Sequence, residues 1–159
     1  MRSLACDRRG VEGFFEEMAA FVVVVIAVGA FMTTAYTSYL SFERQEALAS
    51  LGEDCASFCR AFRSFDAVVE RGVIFQEPLP GRLDSQKLDR LDMSVLEGGL
   101  NIPHHLNLTI EDIANGTQWR LGERTPAGQV VKSAVSSPVL IGWPGGRQDP
   151  GRIRVVMWE

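Results

Sequence analysis

The chain has little of what most catalytic or scaffolding chemistry needs. Of 159 residues only three are cysteine and two are histidine. Three cysteines exclude a disulfide-dense mini-domain, which would need several bridges to replace a core. No G-x-S-x-G, H-E-x-x-H, P-loop or dinucleotide fingerprint occurs, so the common signatures of hydrolase, zinc-peptidase and nucleotide chemistry are missing. No excess of positive charge is present either. Sixteen basic residues against twenty acidic ones leave a net charge of −4, which gives no electrostatic reason to expect nucleic acid as a partner. Wholesale disorder is also excluded, because 46% of the residues are hydrophobic and only 23% are charged.

The chain does have one long apolar run. Met18 to Leu40 is a stretch of 23 residues without a charge. As a helix it spans about 34 Å, against a hydrocarbon core of about 30 Å. Val22 to Ile26 are β-branched and poor helix formers in water, but in lipid the backbone must satisfy its own hydrogen bonds and helix is favoured. Tyr36 and Tyr39 stand near one end, where an aromatic belt is expected. The run exceeds a signal-peptide apolar region and no A-x-A-like site precedes Ser41, so the expectation is a retained anchor. Arg2, Arg8 and Arg9 before the span, against Arg44 alone just after it, predict a cytoplasmic N-terminus and an outer C-terminal part on the cell membrane.

Beyond the span the apolar residues become periodic. Leu48, Leu51, Cys55, Phe58, Phe62, Phe65 and Val69 follow a 3-4 spacing that places them on one face of a helix. The spacing predicts a helical stalk over residues 41–72, capped by Gly72, with a bend allowed at Gly52. Its face would pack on the protein's own sheet or on other subunits. Residues 73–103 are punctuated by Pro78, Pro80, Gly81 and Pro103, with a short helix beginning at Asp84 or Ser85. From His104 onward strand patterns dominate. Leu106, Leu108 and Ile110 alternate with polar residues, Asn115-Gly116 is a turn, and Gln129 to Trp143 is one strand or two broken at Pro138. Arg152 to Trp158 closes the domain as a last strand. The fold class expected is α+β: a long N-terminal helix, membrane span plus amphipathic stalk, packed on a C-terminal antiparallel β-sheet of about four strands. The domains are a basic leader at 1–10, the membrane helix region at 11–40, the stalk at 41–72 and a β-rich extracytoplasmic domain at 73–159.

The N-terminal order of features is Arg8-Arg9-Gly10, then Glu12, Glu16 and Glu17, then the uncharged helix. This resembles the class III signal of type IV pilin-like proteins, and the stalk followed by a β-rich tail is similar to small pilin-like surface proteins of archaea. The resemblance implies cleavage by a prepilin peptidase between Gly10 and Val11. It also implies that an acid near the mature N-terminus assists assembly. The family places that glutamate fifth; here the fifth residue is Phe15, and Glu16 and Glu17 follow it. The function implied is a membrane-anchored surface subunit for filament assembly or adhesion, with like subunits as partners, no cofactor and no enzymatic activity. The alternative is a bitopic membrane protein whose outer domain binds a partner without polymerising.

Smaller motifs complete the list of candidates. Asn107-Leu108-Thr109 and Asn115-Gly116-Thr117 are glycosylation sequons, and both lie outside on this topology. Cys55 and Cys59 share a helix face and leave three arrangements open: two buried thiols, a strained local disulfide, or a bond between subunits. His104 and His105 are adjacent in a strand and point to opposite faces, so they cannot share a metal.

Overall fold

The computed structural model describes residues 8–72, 76–128 and 130–159, with side chains from Glu17 onward. The chain forms two compact units, Met1–Arg44 and Gln45–Glu159. Helix α1 (Arg8–Phe62) makes up the described part of the first unit and ends in the second.

In the first unit every described side chain of α1, residues 17–44, is exposed, including the whole uncharged run. In the second, the helix turns one face to a sheet: Leu51, Cys55, Phe58, Cys59 and Phe62 are buried there. The stripe read from the sequence is therefore correct over its middle, but not over its length. Leu48 is largely exposed. The helix stops at Phe62 rather than near Arg71, and Gly72 caps no helix: it follows a strand, and its N–H donates to the Glu77 carbonyl. The stop has a local cause. Ser64 Oγ donates back to the Arg60 and Ala61 carbonyls, the next amides fold into three-residue turns, and the Arg63 carbonyl is taken by the Gly81 N–H at 2.8 Å. The β-branched pair Val68 and Val69 then enters the core from a turn and a strand. The helix runs on through Gly52, where a Cβ would meet Ser133 Oγ at an ordinary contact distance of 3.6 Å.

After α1 come β1 (Val69–Arg71), β2 (Pro78–Asp84), the short helices α2 (Ser85–Leu88) and α3 (Met93–Gly99), then β3 (His105–Asp112), β4 (Gln118–Gly122), β5 (Lys132–Gly142) and β6 (Gln148–Trp158). Asp84 caps α2 and Asp92 caps α3 through side-chain oxygens, so the single expected helix is two. The six strands form one sheet in the order β1-β2-β5-β6-β3-β4. Every pairing is antiparallel except β2 with β5, which is parallel. That pair corrects the all-antiparallel expectation. Between its two strands lie α2, α3 and the β3–β4 hairpin, which supply the long crossover that parallel pairing requires. Pro138 does not break β5. It pairs with Arg152 of β6, while β2 reaches β5 only at Leu140–Gly142, so the missing N–H can face a side of the strand where no neighbour needs it.

The inner face of the sheet carries Leu83, Leu106, Leu108, Ile110, Trp119, Ile141, Ile153, Val155 and Met157, packed with the α1 residues and Leu96 of α3 in one core. Phe58 and Phe62 stack with ring centroids 6.1 Å apart. The outer face is polar over β3, β4 and the middle of β6, and carries Pro138, Leu140 and Pro150 toward β2.

Candidate functional site

Three regions carry the features that composition alone does not explain. The first is the apolar part of α1. Side chains on all sides of this helix are exposed, with Phe21 at 64%, Ile26 at 65% and Phe31 at 70%. An amphipathic surface helix would bury one side, so this segment fits lipid or other apolar helices rather than water. Four of its hydroxyls are satisfied within the helix. The hydroxyls of Thr33, Thr34, Thr37 and Ser41 donate to the carbonyls of Gly29, Ala30, Thr34 and Ser38 at 2.8–3.0 Å. The helix is long and apolar enough to cross a membrane, and it lies near the N-terminus. Gly10, Val11 and Glu16 fall within its backbone, but their side chains lie outside the described residues, as does the whole of Cys6. Glu17 is exposed just before the uncharged run.

The second region is where α1 meets the sheet. Cys55 and Cys59 are free and buried. Cys55 Sγ lies 3.5 Å from the Ser133 carbonyl of β5. Burial pushes both thiols above their ordinary value, opposed in part by hydrogen bonds to Cys55 from Met157 and Ser133 and to Cys59 from Ser137. The small residues Gly52, Cys55 and Cys59 on the helix and Ser133 and Ser137 on β5 thus form the seam of close helix–sheet contact. Nearby, His104 Nε2 lies 3.1 Å from Asp54 of α1, while His105 pairs with Glu123 and stacks on Trp158. The two histidines have different partners, but only His105 is in β3; His104 stands in the bend just before it, so the expectation of two adjacent strand positions is corrected.

The third region is the open face of the sheet and its turn. Asn107 stands on that face in β3, between β4 and β6, and its amide donates to the Glu123 carbonyl at 2.7 Å. Asn115 stands in the β3–β4 turn, where Gly116 has a φ of 72°. Its amide donates to Asp112 and Asp149, and its oxygen accepts from Arg147 at 2.7 Å. Both sequon nitrogens are therefore engaged in hydrogen bonds.

Sequence reasoning missed the Asp112 network. Asp112 is wholly buried and accepts from the Ala114 and Asn115 amides and from Trp143 Nε1 at 2.9 Å. Arg147 forks onto Asp149 beside it and holds that carboxyl below the usual range. The only local signal was an aspartate three residues before Asn-Gly, a common turn arrangement. This network ties the β3–β4 turn to the β5–β6 turn. Trp119 makes a similar tie, donating to Asp89 after α2 at 2.8 Å.

Among the described residues no three His, Cys, Asp or Glu side chains converge as a metal site. Comparison with known proteins finds no matching family model, no matching curated protein and no matching solved structure.

Proposed function

We propose that the chain is a pilin-like, membrane-anchored surface subunit whose β-rich domain stands outside the cell. One observation carries this reading. A single helix passes from an uncharged stretch exposed on every side to a stretch with one face buried on a sheet. The first part suits a membrane before assembly and neighbouring apolar helices after it; the second fixes a folded domain to that anchor. The arginines at 2, 8 and 9 favour a cytoplasmic N-terminus. Arg9-Gly10 ahead of the glutamates supports processing by a prepilin peptidase, with Glu16 or Glu17 assisting assembly.

N-terminal sequencing of membrane-extracted protein tests the proposal. Val11 is the expected first residue, and Gly10→Val should prevent the cut. An intact Met1 removes the pilin-like processing and leaves a bitopic protein with a non-polymerising outer domain; a cut near Ser41 removes the anchor itself. Orientation is tested separately. Protease added to spheroplasts should digest residues 45–159, and a domain protected until the membrane is opened has the opposite topology.

A further inference from the structure

The charges of the second unit are sorted between its two layers. On the open sheet face, Arg120 of β4 and Arg154 of β6 stand directly opposite Thr109 of β3, one from each side. Arg152, one row along, pairs with Glu111 through Nη2 at 2.6 Å. Arg124, just beyond β4, completes a shallow groove that Asn107, Thr109 and Gln118 line with hydrogen-bonding groups. Four arginines thus line the groove with one glutamate, already paired with Arg152, and the exposed Glu123 at its edge is paired with His105.

The helical layer on the opposite side of the sheet has the reverse sign. Glu46 and Glu53 are exposed on α1, seven residues apart and on the side turned away from the buried Leu51, Cys55 and Phe58. Around α2 and α3, Asp89, Asp92 and Glu97 are exposed. Arg60, Lys87 and Arg90 offset only part of this, and Lys87 is committed to the Asp66 and Val69 carbonyls.

We infer that the arginine-lined sheet face is an interaction surface for the acidic helical face of a second copy of this chain. The inference rests on the subunit reading above and names the surfaces through which outer domains meet. Charge complementarity within one sequence selects the partner: the chain itself carries the acidic surface that the groove fits. Arg154 and Arg120 flank Thr109 and offer guanidinium groups to one incoming carboxylate, Arg120 with its Nη2 also donating to Gln118 at 2.7 Å, and Glu53 and Glu97 are the exposed acids suited to supply that carboxylate. Because the two surfaces lie on opposite sides of the domain, the contact is head-to-tail. Each copy that binds through one face leaves its other face open, so the contact repeats into an array rather than closing as a two-fold dimer. Single exposed ion pairs contribute little, so several must act together and salt must weaken them.

Sedimentation of the full chain in mild detergent, at low salt and at about 1 M salt, tests this. The wild type should associate at low salt and dissociate at high salt. The double variant Arg120→Glu/Arg154→Glu and the double variant Glu53→Arg/Glu97→Arg should each self-associate at least about tenfold more weakly. An equimolar mixture of the two should recover association, since the reversed faces complement each other; recovery also shows that both variants are folded. A monomer at every salt and concentration overturns the inference. Association that persists through salt and charge reversal belongs to the apolar helix, and overturns this interface while leaving the subunit reading intact. Binding of polygalacturonate through the arginines, without self-association, assigns the face to an acidic polymer and overturns it as well. Failure of the subunit reading shows independently, as an unprocessed Met1.

Discussion

Phe62 is the residue on which the packing of helix and sheet can be tested most directly. It is fully buried, sits in the last turn of α1 and stacks on Phe58. Replacing a buried phenylalanine with alanine costs about 3–5 kcal/mol, combining lost transfer energy with the cavity left behind. The second unit runs from Gln45 to Glu159 and holds its own core. For roughly 115 residues at about 2.1 cal/mol/K each, the unfolding entropy is about 0.24 kcal/mol/K. The expected fall in Tm is therefore about 12–20 °C. The control is Arg60→Ala, two residues away and exposed, with an expected change within about 2 °C. Arg63 would be a poorer control, because it is half-buried and its Nη2 lies 3.0 Å from where a Cβ on Gly81 would stand. Melting of the fragment 45–159 by near-ultraviolet circular dichroism measures both. If Phe62→Ala and Arg60→Ala melt together on a monomeric parent, the helix does not pack on the sheet. If the parent is soluble only as an oligomer that Phe62→Ala splits into folded monomers, the stripe is a subunit interface instead.

Three further outcomes follow from particular contacts. Gly122 has a φ of 88° and a Cβ there would lie 2.1 Å from the Leu106 carbonyl oxygen, so Gly122→Ala should unfold or strongly destabilise the β3–β4 hairpin. Gly128→Ala, also at positive φ but in open space, should lower Tm less, by chemical denaturation or heating. Cys55 and Cys59 are buried with raised thiol pKa values, so a maleimide should label the native domain slowly at pH 7 and the urea-unfolded domain at once; equal rates would place the thiols at the surface. The Arg147 guanidinium holds Asp149 low, so this contact stabilises the fold fully above the unfolded carboxylate value of about 3.9 and is lost as pH falls through the depressed folded value. Arg147→Met should therefore flatten the acid limb of Tm against pH, and an unchanged limb would show that the pair adds nothing.

What could be read from the sequence was what one element's own periodicity determines. The uncharged run, the alternation in β3 and the 3-4 stripe over Leu51, Cys55, Phe58 and Phe62 each depend on residues within a few positions of one another. The end of α1 was misplaced because the 3-4 spacing continues to Phe65 and Val69. Both do pack against the core, but through a turn and a strand rather than a helix. What ends the helix is Ser64 taking its own carbonyls and Gly81, seventeen residues on, taking that of Arg63; only the first is local. The parallel β2–β5 pair and the tolerance of Pro138 likewise depend on which strand lies beside which, and no local pattern carries that. The part played by Asp112 was not legible because its partners, Trp143 and the Arg147–Asp149 fork near it, lie more than thirty positions away.

The sorting of charge across the sheet also follows from packing, and it explains why a chain with net charge −4 can present an arginine-rich face. Strand alternation sends every second residue of β3, β4 and β6 outward, so Arg120, Arg152 and Arg154 share one surface with their neighbours Thr109 and Glu111. The inward residues are mostly apolar, and the helices that cover them turn their remaining positions to solvent on the far side. Acids on those helices, such as Glu53, are thereby separated from the arginines by the thickness of the core and cannot neutralise them within one copy. Had the arginines stood one position along each strand, they would have entered the core and the fold would have failed. The alternation that builds the sheet is thus what keeps the two charges apart, so that only another molecule can bring them together.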